Sequence, residues 1–125
     1  MMGITHFLIF GLGGGLGAIS RAWLSRVVDT RFPWATLIVN VVGSALVGIL
    51  MAIFAQSRSL AAMDEELLAN GFCGGFTTFS SFSYQTLSLF QNQKPLKGIL
   101  NVLLNLVFAL GGAWSGILIG EALFQ

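Results

Sequence analysis

GFCGGFTTFSSFSYQTLS, residues 71–88, sets hydroxyl groups between evenly spaced phenylalanines in a chain that is otherwise close to oil. Of the 125 residues, 55% are hydrophobic and 9% charged, and the mean hydropathy is +0.84. These values lie far outside the range of a soluble domain, so the solvent for most of the chain is lipid. A formal charge of +1 gives no basic field to hold nucleic acid, and no run of Lys and Arg beside a helix marks an anionic-lipid anchor. The single cysteine, Cys73, makes neither an intrachain disulfide nor a metal cluster and reads as a small buried hydrophobe.

A bilayer core about 30 Å thick takes roughly 20 helical residues per crossing. Four stretches of that length occur, near residues 4–26, 34–56, 66–90 and 98–122. They predict an all-α membrane protein with a single four-helix domain over residues 1–125. The first stretch has no basic segment ahead of its apolar run, so it reads as an uncleaved span, with His6 at its start as a lone interfacial histidine. VVDTRFP, QSRSLAAMDEE and QNQKPLK are short polar connections, two of them carrying a proline, Pro33 and Pro95. Asp64, Glu65 and Glu66 open the third span, where acids suit the positive end of a helix dipole. Trp23 and Trp34 bracket the first connection as interface anchors. Connections one and three hold Arg26, Arg31, Lys94 and Lys97, the second only Arg58. Charge counting taken alone therefore puts the first and third in the cytoplasm.

Small residues recur at the spacing of close helix contacts: Gly11 and Gly15, Gly13 and Gly17, and Gly112, Gly116 and Gly120. GLGGGLGA also fits G-x-G-x-x-A at Gly13, Gly15 and Ala18. A dinucleotide-binding turn needs a preceding strand and a parallel sheet, and neither is available here.

Between Leu67 and Phe90 lie ten polar or hydroxyl-bearing residues, so the third span cannot face lipid all round. Single Ser and Thr side chains in membrane helices commonly bond back to their own carbonyls and assist packing; ten in one span ask for more. Gly74 and Gly75, followed by two β-branched threonines, make a poor uninterrupted helix, which predicts a break there. Backbone freed inside a membrane must be buried in protein, line a wet cavity or coordinate an ion, and carbonyl oxygens suit a hard cation such as Na⁺. Phe79 and Phe82 fall on neighbouring positions of one helix face. Such a stripe is ordinarily core, but ring edges presented among hydroxyl donors also stabilise a small anion without a buried cation. Asn40, the only amide of the second span, and Asn101 and Asn105, one turn apart on the fourth, add candidate N–H donors. No Asp, Glu or Lys lies deep in a span, as a proton-coupled pump would require. Arg21, near the end of the first span, reads as structural, snorkelling or pairing with carbonyls. Without a nucleophile–base pair, metal-ligand cluster or phosphate loop, no residues carry enzyme chemistry.

GGFTTFSSFS resembles the G-G-F-T-T-F-S-T-F-S signature of the Fluc (CrcB) family of fluoride channels. GGGLGAISR in the first span and TLIVNVVGSALVG in the second are similar to two further motifs of that family, so the likeness covers nearly the whole chain. The resemblance implies a passive fluoride-selective channel in a bacterial inner membrane, multi-pass and exporting F⁻. It implies an antiparallel, dual-topology homodimer with two pores and a structural Na⁺ at its centre, and no organic cofactor. By position in the motif, the Na⁺ carbonyls belong to Gly74 and Thr77. Phe79 and Phe82 take the places of the pore phenylalanines and Asn40 that of the pore asparagine, while Ser80 and Ser81 lie between the rings. Two positions depart from the pattern. Gln85 stands where a glutamate is usual, which keeps hydrogen bonding and removes a titratable charge; Asn101 and Asn105 stand where Tyr and Ser are expected. Two other readings carry their own signatures. A four-span drug/proton exchanger requires a carboxylate within the first span, which is absent. A non-transporting assembly subunit would tolerate Ile at positions 79 and 82.

Overall fold

The computed structural model describes residues 3–28, 31–56, 64 and 66–124. Arg58 and Glu65, which entered the charge count of the second connection, lie outside the described residues. The described chain is all-helical: α1 (Ile4–Val27), α2 (Trp34–Gln56), α3 (Glu66–Cys73), α4 (Gly74–Phe76), α5 (Phe79–Gln91) and α6 (Pro95–Phe124). α1, α2 and most of α6 are each long and apolar enough to cross a membrane, and the chain is a multi-pass membrane protein. The third span is composite. α3 is wound as a π-helix, α4 is a single α-turn, and α5 follows after an interruption.

That interruption lies three residues beyond the predicted one. Gly74 and Gly75 remain helical, and the backbone is extended instead at Thr77 (φ −79°, ψ 161°) and Thr78 (φ −154°, ψ 119°). No described glycine has positive φ, so Gly75 is present for space. A Cβ there would collide with the carbonyl of Gly14 on α1. Gly13 and Gly17 of α1 are likewise buried against the backbone of α3 and α4, around Leu67, Phe72 and Phe76. Gly112, Gly116 and Gly120 of α6 meet the backbone of α2 at Val41, Ala45 and Ile49. At Gly11 and Gly15, by contrast, an added Cβ would meet nothing within 4 Å among the described residues. The glycine stripes thus tie α1 to α3 and α4, and α2 to α6, by close van der Waals approach, which is the main attraction between helices in lipid.

Burial follows the inverted logic of a membrane solvent. Phe7, Leu12, Trp23, Leu103, Leu106 and Trp114 face outward, while Thr36, Thr78, Asn101 and Asn105 are buried. Thr78, Asn101 and Asn105 each have hydrogen-bond partners within the protein, which hydrocarbon would not supply.

Pro33 immediately precedes α2 and Pro95 opens α6. The Pro33 carbonyl accepts the Leu37 N–H at 3.1 Å, and Pro95 is the first residue of α6, so that helix starts three residues before the predicted boundary. A proline at the first helical position forgoes no intrahelical bond. Between α5 and α6 the chain turns through a Schellman motif: Lys94 N–H donates to Leu89 O at 2.9 Å, Gln93 N–H to Phe90 O at 3.2 Å, and Gln93 has φ 57°. Glycine is the residue this position favours. Gln93→Gly is expected to stabilise the turn by about 0.5–1 kcal/mol, raising the thermal unfolding midpoint in detergent.

Candidate functional site

A broken helix leaves backbone groups without their i±4 partners, and the structure shows where each goes. Thr77 still bonds backward, its N–H and its hydroxyl each donating to Cys73 O at 3.0 Å. Thr78 N–H donates instead to Asn40 Oδ1 at 2.8 Å, and Thr78 O accepts from Asn40 Nδ2 at 3.2 Å. One amide side chain on α2 therefore satisfies both backbone groups of the residue at the break. Thr78 is also the N-cap of α5, accepting the Ser81 N–H on its hydroxyl at 3.1 Å. Gly43 of α2 lies against Thr77 and Phe76, where an added Cβ would collide with the Thr77 methyl group.

The break leaves the carbonyls of Gly74, Gly75, Phe76 and Thr77 without their helical donors, and side chains take up two of the released N–H groups. The N–H that a continuous helix would send to Gly74 O goes to Asn40, and the one for Thr77 O goes to the Thr78 hydroxyl. Among the described residues, no backbone N–H is bonded across the break to any of the four carbonyls.

From Asn40 a chain of side-chain bonds runs through two buried asparagines of α6 to α5. Asn40 Nδ2 donates to Asn105 Oδ1 at 3.0 Å. Asn105 Nδ2 lies 2.9 Å from Asn101 O and 3.0 Å from Asn101 Oδ1. Asn101 Nδ2 donates to Thr86 Oγ1 at 2.9 Å, and the Thr86 hydroxyl to Phe82 O at 2.7 Å. Asn101 is 0% and Asn105 6% exposed, so these bonds meet little competition from water.

Beside the break an open groove of about 580 Å³ is lined by Asn40, Thr77, Thr78, Phe79, Phe82 and Asn105, and continues along apolar residues of α2 and α6. Phe79 and Phe82 are neighbours, ring centroids 5.6 Å apart at 48°, and Phe79 is 78% exposed. The hydroxyls of Ser80 and Ser81 gather on Thr78 Oγ1, each at 3.2 Å. Among the described residues, no charged side chain lines this groove. Of the predicted donors and rings, Asn40, Asn105, Phe79 and Phe82 line the groove; Ser80 and Ser81 do not line it and reach it only through Thr78, and Asn101 and Gln85 lie elsewhere. Asn101 is fully buried behind Asn105 and supports the groove without lining it. Gln85 lies in a second cavity of about 210 Å³, with Ser25, Arg31, Phe32, Tyr84 and Ser88, and its Oε1 is buried without a hydrogen-bond partner. Arg21 is on α1, half-buried, and lines neither cavity.

Thr78 and Thr86 were not among the residues singled out in the sequence. For Thr78 a signal existed: a threonine three residues ahead of an N–H it caps is a helix start. For Thr86 there was none, since its role depends on Asn101 across the helix packing.

Residues 8–117 match the family described as "CrcB-like protein, Camphor Resistance (CrcB)". This chain belongs to the CrcB family. Among curated relatives, a "Fluoride-specific ion channel FluC" of Campylobacter jejuni is 41% identical over 120 residues, covering 93% of this chain and 98% of the relative. Proteins of the same name from Hahella chejuensis and a Sulfurihydrogenibium species are each 37% identical, over 93% and 96% of this chain and 94% and 100% of their own lengths.

The cap at the break is testable by itself. Thr78→Val keeps the β-branch and removes the hydroxyl that caps α5, with an expected loss of about 1 kcal/mol. Hydrogen exchange at the Ser81 N–H should accelerate while exchange in α2 stays as in the parent protein.

Proposed function

We propose that the chain is a passive fluoride-selective channel that exports F⁻ across a bacterial inner membrane. The observation that carries the reading is the groove at the interrupted third span, which two phenylalanines, two threonines and two asparagines line and, among the described residues, no charged side chain. A fluoride ion leaving water loses strong donors, and hydroxyl and amide groups together with the positive edges of Phe79 and Phe82 replace part of that shell. A cationic side chain in direct contact with the ion would hold it too long, since conduction needs binding weak enough for exit. An inside-negative potential contributes about 2.3 kcal/mol per charge per 100 mV toward anion exit, so no coupled fuel is required. The kinship with proteins named fluoride-specific channels over nearly their full length supports the same reading.

We further propose an antiparallel, dual-topology homodimer with two pores. One chain supplies only one wall of the groove, and the outward exposure of Phe79 favours a second copy opposite. Ser80 and Ser81 belong to the anion path with Asn40, Phe79 and Phe82; Asn105 borders it, Asn101 backs it, and Gln85 serves a stretch farther along α5. The Gly74 and Thr77 carbonyls, deprived of their helical donors, fit a Na⁺ ion chemically, as neutral oxygens suit a hard monovalent cation. Two from each of two chains would make a four-oxygen set. Bound there, Na⁺ would supply fixed positive charge near the dimer centre.

Purified protein in liposomes should release fluoride far faster than chloride, read with ion-selective electrodes. Phe79→Ile and Phe82→Ile should each slow fluoride by at least about tenfold, a barrier change of about 1.4 kcal/mol. Equal fluoride and chloride fluxes contradict the reading, and unchanged flux in both variants favours a non-transporting role.

A further inference from the structure

We propose that Asn105 is an internal stand-in for the transported anion: its Oδ1 occupies an Asn40 N–H that an ion in the groove must take over to be bound. The consequence for transport rests on the fluoride-channel reading above.

Asn40 has two N–H groups, and the protein uses both. One donates to Thr78 O at 3.2 Å, the other to Asn105 Oδ1 at 3.0 Å. The first is needed where the helix is broken; the second serves no backbone group. Both Asn40 and Asn105 line the groove, so an ion beside Asn40 competes with Asn105 Oδ1 for the second N–H.

The direction of that acceptor is not free to change. Asn105 Nδ2 faces the Asn101 carbonyl, which can only accept. Farther along, Thr86 Oγ1 is committed to the Phe82 carbonyl, another obligate acceptor, and so receives Asn101 Nδ2. At the other end Thr78 N–H can only donate. Flipping Asn105 would bring its Oδ1 against the Asn101 carbonyl and its NH₂ against that of Asn40, in a site where unmet polar groups are costly. The amides of α6 therefore hold an acceptor, not a donor, at the groove.

The physical effect is on affinity. An anion gains the Asn40 N–H only at the cost of the Asn105 bond, so its net binding is weakened and its release quickened. Removing the acceptor frees the N–H and tightens the site.

The test is the fluoride concentration dependence of flux through reconstituted Asn105→Leu, which keeps the volume and removes the acceptor, and Asn105→Ser, whose shorter side chain withdraws it and is readily accommodated in a membrane helix. Half-saturation should occur at roughly five- to tenfold lower fluoride, the worth of about one net hydrogen bond, with a lower maximal flux. A packing role would lower maximal flux and leave half-saturation unmoved. Half-saturation unchanged or raised in both variants overturns the proposal. Absence of fluoride flux in the parent protein would instead overturn the channel reading on which it rests.

Discussion

A single asparagine side chain makes the third span possible as a broken helix. In hydrocarbon, an unpaired backbone N–H or C=O costs several kcal/mol, and a break exposes such groups by definition. Asn40 offers one acceptor and two donors, and Thr78 takes one of each kind. Most of the groove's architecture depends on that pairing. It holds α2 against the break, leaves Thr78 free to cap α5, and places Phe79 at the first position of the helix that follows.

The same pairing explains why the interior is polar. Asn101 and Asn105 would be expensive anywhere else in a membrane protein, yet here each finds a partner in sequence along α6 and across to α5. Around this polar seam, glycine contacts bring the backbones of α1 and α6 close to their neighbours. Apolar side chains are then released to face lipid. Packing and polar satisfaction divide the labour: the glycines set distance, and the amides set register.

Much of this was legible from residues alone. Span limits follow from the length a bilayer demands, and the observed helices begin and end within a few residues of them. The break was expected at Gly74 and Gly75 because glycine is a poor helix former. In the fold those glycines serve close approach to α1, and two threonines with side-chain partners carry the break. Propensity alone misplaced the interruption, since both glycines are helical, and tertiary contacts chose its position. Gln85 was grouped with the rings by its place in the motif. Six residues from Phe79 at about 100° per residue puts it roughly 120° away round the helix, toward the other cavity. Asn101 and Asn105 were read as candidate donors, and only the packing of α6 on α5 and α2 reveals that their N–H groups are spent within the protein. The π winding of α3 has no periodicity signal in so short a stretch, and the likeness to a family carried the ion's identity, which no residue pattern names.

The measurement that bears most directly on this structure is the backbone conformation of residues 74–82 in a lipid bilayer, read from ¹³Cα and ¹³Cβ chemical shifts by solid-state NMR. Thr77 and Thr78 should give extended shifts between helical neighbours on both sides. Helical shifts running unbroken from residue 74 to residue 82 would contradict the broken third span.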